Sequence, residues 1–296
     1  MIHTSAKMQP PSPHTNSWFI DEQWCRLTTS TDPWIGPNGL IMGQVTIKGI
    51  RGLITPPWAL HTEWEEKGSD HVTNLDAIRD SLEQQKRPLI VLDFPIGTDC
   101  NWNAPWRVQE SHTRILAWKP GDSGHEQWPK HRIKQVKKGA TKGIRIETSN
   151  DINEVLALHQ MARERKEIPS NSETLKNLLK HILKSTHQSS LIARDEHGSA
   201  IANAVILHNK GRSIYAFGGQ KRSSLSALAS VMLIHSAIDI ARQIGQTSFD
   251  FGGSRDPGVD RFYAEFGAKR VIKHRAVLCR KPQAWWLRWV RPDLFC

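Results

Sequence analysis

Three apolar stretches, residues 190–194, 200–208 and 213–218, are separated only by short polar turns at 195–198 and 209–211. Turns that short join antiparallel neighbours, so the middle of the second half is an antiparallel sheet. A long apolar helix over 225–244 stops at Gly245 and leads into a further strand at 248–251. Upstream, a basic helix over 130–140 carries Ile133 and Val136 on one face and ends at Gly143, and Ile144 and Ile146 then alternate as a strand. Asn150 or Asp151 can cap the next helix, whose apolar positions are Ile152, Val155, Leu156, Leu158 and Met161. A second helix follows Pro169, with Leu175, Leu178, Leu179, Ile182 and Leu183. After a glycine-rich loop at 252–258 come a short helix over 260–266, stopped by Gly267, and a last strand over 269–278. This order defines an α+β sheet domain.

The first half is less regular. Residues 1–17 are polar and proline-rich and predict a loose arm; Trp, Pro and Gly are scattered from 18 to 118 around a buried strand at 89–94 and a helix at 74–85. A length of 296 residues fits about two domains. The expected organisation is an arm at 1–17, an N-terminal unit at 18–129, a C-terminal unit at 130–280 and a Trp/Arg-rich tail at 281–296. Cys25, Cys100, Cys279 and Cys296 form no CxxC pair, which argues against a zinc ribbon or disulfide scaffold and for a reducing cytosol. No run of eighteen apolar residues exists, and prolines stand where a signal peptide needs an apolar segment. A cytoplasmic chain is expected.

The net charge of +11 is uneven. Residues 1–148 hold 18 basic and 16 acidic side chains, whereas 149–296 hold 22 and 13. Seven basic residues and no acid lie between Lys130 and Arg145, and eight and none between Lys269 and Arg291. Either stretch is a solvated face or a site for phosphate, nucleic acid or an anionic membrane. In the tail, Trp285, Trp286 and Trp289 alternate with Arg288 and Arg291; such rings either sit at a membrane interface or cap the last core. Motif searches find no GxSxG, HExxH, GxxxxGK[ST] or GxGxxG in a strand-to-helix setting. His181 and His187 are six apart and share no helix face, so no metal is expected.

The element order, with the text FDFGGSRDPGVDRFYAEFGAKRV at 249–271 and KHRIKQVKKGATKGIRIE at 130–147, resembles the GNAT acyltransferase superfamily, and most closely its Fem-like subgroup. The resemblance covers 130–278. It implies tandem GNAT-like domains, each a mixed, mostly antiparallel sheet flanked by helices, the N-terminal one degenerate. It also implies an N-acyltransferase moving an acyl or aminoacyl group to an amine, on a small molecule, a lipid-linked molecule, or a cell-envelope or polysaccharide precursor. The implied donor is acyl-CoA, an acyl carrier protein or aminoacyl-tRNA; DNA is not an expected partner.

Tyr263 stands where such enzymes often keep the residue that protonates the leaving thiolate, with burial as a packing ring the alternative. Asp250 is a candidate to orient or deprotonate the amine, or a cap for the glycine loop. Gly252, Gly253, Ser254, Arg255 and Phe262 form the candidate substrate loop. Where the family holds a donor's pyrophosphate on a Gly-rich turn, this chain has Gly219, Gln220, Lys221, Arg222, Ser223 and Ser224, with serines in place of glycines. Fem enzymes acting on the peptidoglycan precursor have a lysine after the helix phenylalanine; here Tyr263 follows Phe262, which argues against that precursor. A peripheral contact with the inner face of the membrane is the expected role of an interfacial tail. The alternative function is a non-catalytic module binding RNA or an anionic surface through its basic faces.

Overall fold

The computed structural model describes residues 17–64, 71–126, 128–164, 172–209, 211–253, 256–280, 282 and 284–295. Among these the chain divides into two compact units: a central one over Thr113–Arg270, and a terminal one formed by Ser17–His112 with Val271–Cys296.

The terminal unit begins with α1 (Glu22–Thr29), capped by Asp21, whose carboxylate accepts from the Gln23 amide at 2.8 Å. β1 (Trp34–Ile35), β2 (Ile41–Ile47) and β3 (Ile50–Ile54) run antiparallel in sequence. Lys48 and Gly49 both take positive φ, which closes the two-residue hairpin between β2 and β3. α2 (His71–Gln84) then crosses to β4 (Leu89–Asp93), which lies parallel to β3. One face of this sheet packs Leu40, Met42, Leu53, Ile90, Leu92 and Phe94 against Ile78 and Leu82 of α2. β5 (Trp106–Ala117) follows, and its residues from 115 on belong to the central sheet.

In the central unit α3 (Lys130–Thr141) precedes β6 (Arg145–Thr148), α4 (Ile152–Glu164) and α5 (Ser172–Leu183). β7 (Gln188–Arg194), β8 (Ala200–Asn209) and β9 (Arg212–Gln220) form the antiparallel meander that the short turns predict. α6 (Ser226–Gln243) crosses to β10 (Ser248–Asp250), which lies parallel to β9 and antiparallel to the end of β5. α7 (Pro257–Ala264) and β11 (Lys269–Cys279) follow. From Arg275 to Cys279, β11 pairs antiparallel with β4 in the terminal unit, and α8 (Leu287–Val290) completes the chain's helices. The core under α6 joins Val231, Leu233, Ile234 and Ile238 to Leu191, Ala204, Ile206 and Phe249. Each of the fully buried Val, Leu, Ile and Phe side chains among them contributes ~1.5–3 kcal/mol.

Both units thus repeat one plan: an antiparallel hairpin, a helix, a strand parallel to the last, and an antiparallel neighbour. Tandem, mostly antiparallel sheets flanked by helices are the fold class expected. Some elements differ from the sequence reading. α7 starts at Pro257, not at 260, because Asp256 caps it, accepting from the Gly258 and Val259 amides at 2.9 and 3.3 Å, and Pro257 suits the first helical position. The sequence pattern marks neither the hairpin β2–β3 nor the twelve-residue β5, whose Gln109, Glu110, Ser111 and His112 give it a polar text with no clean alternation.

Candidate active site

The last pair between β10 and β9 is Asp250 with Ile214, yet β9 runs on for six residues, Tyr215–Gln220. A register shift between Val205 and Ile206 of β8 places a bulge at the same point of β9. Where β9 leaves β10, a cavity of about 530 Å³ opens, walled by β8, β9, α4, α6 and α7. All its described lining residues belong to the central unit.

Two glycines shape this space. A Cβ on Gly219 would lie 2.3 Å from the Leu158 carbonyl oxygen, so α4 packs directly onto the backbone of β9. A Cβ on Gly218 would lie 1.8 Å from the Tyr215 hydroxyl, so only glycine leaves room for that ring. Tyr215 and Tyr263 are the chain's two tyrosines, and both line the cavity, edge to face with ring centroids 6.4 Å apart. Burial pushes the Tyr215 phenol up to about 12, and burial, reinforced by Tyr215 and Asp256, raises Tyr263 well above the ordinary phenol value. Both hydroxyls keep their protons at neutral pH.

His159 of α4 is held by its Nδ1, 3.3 Å from the Gly218 carbonyl oxygen. A carbonyl only accepts, so Nδ1 carries the hydrogen and Nε2 a lone pair. That Nε2 is buried without a hydrogen-bond partner. Burial, opposed by the Gly218 bond and helped by Arg163, pushes its pKa below the usual histidine value, so the ring is neutral at pH 7. Asn203 of β8 lies opposite Gly219, is 1% exposed, and leaves both amide atoms without a hydrogen-bond partner. A native interior normally satisfies such groups, and two residues of this cavity's wall carry them. Gln220 accepts from Ser230 at 2.6 Å on the opposite wall.

α7 is fixed so that Tyr263 and Phe262 face this space. Arg114 forks onto Asp260 at 2.8 and 2.6 Å. Arg132 of α3, 5% exposed, donates to Glu265 and lies 4.7 and 5.0 Å from the Phe262 and Phe266 ring centroids. Phe251 supports Tyr263 at 4.9 Å between centroids.

Of the residues singled out in the sequence, Tyr263, Phe262, Gly219 and Gln220 meet at the cavity. Lys221, Arg222, Ser223 and Ser224 occupy the turn between β9 and α6 and are not among its described walls; Ser223 accepts from the Leu225 amide there. Asp250 is 1% exposed and stands outside the walls, accepting from the Thr113 hydroxyl and, at 2.9 Å, from the Gly252 amide. Gly252 and Gly253 take φ of 76° and 73°, which glycine tolerates. Ser254 and Arg255 lie outside the described residues. His159, Asn203 and Tyr215 carry no sequence motif; only the packing of α4 against β8 and β9 gathers them.

A second polar cluster lies on α6. His125 stacks on His235 at 4.3 Å and 13°, and His235 Nδ1 lies 3.1 Å and His125 Nε2 3.5 Å from the Asp239 carboxylate. The ligand atoms of His125, His235 and Asp239 lie within 4.8 Å of one another, and His125 Nε2 makes no hydrogen bond. In the tail, Ala284, Leu287, Leu294 and Phe295 are buried, while Trp285 and Trp289 are 39% and 60% exposed. Among the described residues no helix is long and apolar enough to cross a membrane.

A tandem GNAT-like fold with a cavity at the splayed strand is the class these features define. Solved structures of that kind align along nearly the whole chain. The crystal structure of FemX superposes with a TM-score of 0.63 at 12% identity, covering 88% of this chain and 92% of that one. L-PGS from Bacillus licheniformis gives 0.59 at 9%, covering 90% and 89%. The C-terminal domain of a putative lysylphosphatidylglycerol synthetase from Agrobacterium fabrum gives 0.56 at 12%, covering 86% of each. The likeness is one of fold. No family model and no curated protein matches the chain.

Proposed function

We propose that the chain is an N-acyltransferase whose chemistry takes place in the cavity between β9 and α7. The observation that carries this reading is His159 Nε2, a buried unpartnered lone pair on a neutral imidazole, in the same cavity as two protonated phenols. Acyl transfer needs a base for the amine and hydrogen-bond donors for the charge that develops on oxygen and sulfur. In this reading the amine nitrogen attacks the carbonyl carbon of an acyl thioester or ester, and His159 takes its proton. The new C–N bond forms as the bond to the leaving group breaks. The departing thiolate or alkoxide is stabilised by the Tyr263 hydroxyl and receives the proton from His159. A phenol raised this far is a hydrogen-bond donor to the leaving atom more than a source of its proton.

The turn of Lys221, Arg222, Ser223 and Ser224 supports an anionic handle on the donor, such as the phosphates of acyl-CoA, a carrier protein or tRNA. The amine acceptor is a small or lipid-linked molecule. Lipid linkage is supported by Trp285 and Trp289, which stand out of the surface with Arg288 4.6 Å from the Trp289 centroid, an arrangement that suits the inner membrane interface.

The test is thiol release from acyl thioesters in the presence of amines. Tyr263→Phe removes one hydroxyl without emptying the core, and turnover is expected to fall about a hundredfold or more with the melting temperature nearly unchanged. Equal turnover in the two proteins removes the role of Tyr263, and no thiol release from any thioester removes the reading.

A further inference from the structure

The cluster on α6 is independent of the acyl-transfer reading. His125, His235 and Asp239 all belong to the central unit, and none is among the cavity's described walls. His235 and Asp239 lie four residues apart on α6, a spacing that puts both side chains on one helix face. His125 reaches the same face from the loop between β5 and α3. That loop is fitted closely to α6: Gly124 takes a φ of 75°, and a Cβ there would lie 2.9 Å from the side chains of both Ile238 and Arg242. The His125 amide donates to the Ser123 hydroxyl at 3.1 Å, and the Trp128 ring stands edge-on to both imidazoles, at 4.7 Å from His125 and 5.7 Å from His235.

The Asp239 carboxylate spans the two rings, with Oδ2 3.1 Å from His235 Nδ1 and Oδ1 3.5 Å from His125 Nε2. Ligand atoms held ~2.0–2.1 Å from a tetrahedral zinc lie ~3.3–3.4 Å from one another, so each of these spacings is close to that of two ligands on one ion. The two ring nitrogens are within 4.8 Å of each other, and because the rings stack at 13°, a turn of one ring about its Cβ–Cγ bond is what brings their lone pairs together. Nothing holds His125 Nε2 back, since it is buried and makes no hydrogen bond. Asp239 is 33% exposed, which gives an ion a way in and leaves its remaining positions to water. Arg242 approaches Asp239 Oδ1 only to 4.0 Å, a contact that a divalent cation displaces. Two imidazoles with one carboxylate suit zinc, whereas magnesium and calcium take oxygen ligands. We propose that His125, His235 and Asp239 form a zinc site that ties the loop before α3 to α6.

The probe is zinc alone, titrated calorimetrically into the full chain after dialysis against a chelator. Zinc is expected to bind and to raise the melting temperature in step with its concentration, and magnesium to do neither. His125→Gln and Asp239→Asn preserve the bulk of each side chain, and each is expected to weaken zinc binding by at least about tenfold. His197→Gln is the control, since His197 is 80% exposed on the turn between β7 and β8 and should leave the affinity unchanged. An affinity unaltered in both site variants would put the ion on other histidines and overturn the proposal. Absence of zinc binding to the unaltered chain, or equal binding of magnesium, overturns it as well. If the variants fold poorly, nitrogen NMR of the unaltered chain decides: the His125 Nε2 and His235 Nδ1 resonances should shift on addition of zinc, and resonances that stay in place overturn the site. No readout involves a thioester, so a negative result leaves the acyltransferase reading standing.

Discussion

The parallel strand pairs of the two units, β3 with β4 and β9 with β10, each pair over three residues, yet they end differently. In the terminal unit β3 stops at Ile54, and the seam is closed immediately. Thr55 donates its amide to Val91 at 2.9 Å and accepts from the Asp93 amide at 2.7 Å, and the Thr62 hydroxyl donates to the Asp93 carbonyl at 2.6 Å. In the central unit β9 continues past β10 without such a closure, and its six extra residues become a cavity wall. The same plan therefore yields a sealed sheet in one unit and a site in the other. The terminal unit's cleft of about 410 Å³ has Arg79 paired with Asp76 and Asp80, and Glu83 accepting from the Trp106 indole at 2.7 Å, with the Trp102 indole nitrogen buried and unpartnered. In the central cavity the unpartnered atoms are the imidazole nitrogen of His159 and the carboxamide of Asn203.

The sharpest way to break that contrast is acid. His208 of the central unit is 4% exposed between the hydroxyls of Ser189 and Ser213, at 2.8 and 2.9 Å, and burial, with a smaller push from His187, lowers it to about 4. His159 and His125 are lowered as well, both chiefly by burial. In the terminal unit the buried His61 instead has Glu63 2.9 Å away. A histidine lowered on folding binds its proton more weakly in the native state than in the unfolded chain. Its contribution is whole above pH 6.5 and is lost as pH falls through about 4. For His208 the loss is on the order of 3 kcal/mol. Hydrogen exchange across that window is expected to show central-unit amides losing protection first, and His208→Gln should flatten the dependence. Equal loss in both units would break the contrast.

The next largest effect concerns Gly219. Gly219→Ala drives a methyl into the α4 backbone at Leu158, and the cost should be about 1–3 kcal/mol with weaker thioester binding. Gly52→Ala in the terminal unit is the comparison, since its Cβ would approach the Leu89 carbonyl oxygen only to 3.0 Å and Gly52 lines neither cavity described above. It should destabilise without touching binding. Denaturant melts and calorimetry on both variants separate the two outcomes.

These positions also show what the sequence can disclose. The meander β7–β8–β9 was legible because its turns are too short for any other pairing, and Tyr263 because it sits in a helix bracketed by Phe262, Phe266 and Gly267. Asn203 was not, since one amide within an apolar run reads as an interruption until its strand is known to have no partner for it. His159 lies on an amphipathic helix where a histidine is ordinary; its meaning comes from the Gly218 carbonyl, 59 residues away. Gly219 stands in the sequence at the approach to a candidate phosphate turn, whereas what requires glycine there is the α4 backbone, and at Gly218 the Tyr215 ring. Long-range contact, rather than local pattern, assembles most of the site.

The smallest effect tests whether the terminal unit contributes a surface instead of a cavity. Ala284 and Leu287 are fully buried, so the segment around α8 is anchored in the terminal core independently of the two exposed rings, whose centroids lie 4.7 Å apart. Deleting the segment would unfold that core and answer nothing about lipid. Replacing Trp285 and Trp289 together by Ala removes the rings and leaves the anchor, so the melting temperature should hold. Partition onto anionic phosphatidylserine vesicles should then drop by about tenfold or less, with turnover on soluble thioesters unchanged. Loss of turnover on soluble substrates would mean that the terminal unit takes part in the chemistry. Undiminished partition would shift membrane contact from the aromatic rings to the basic faces.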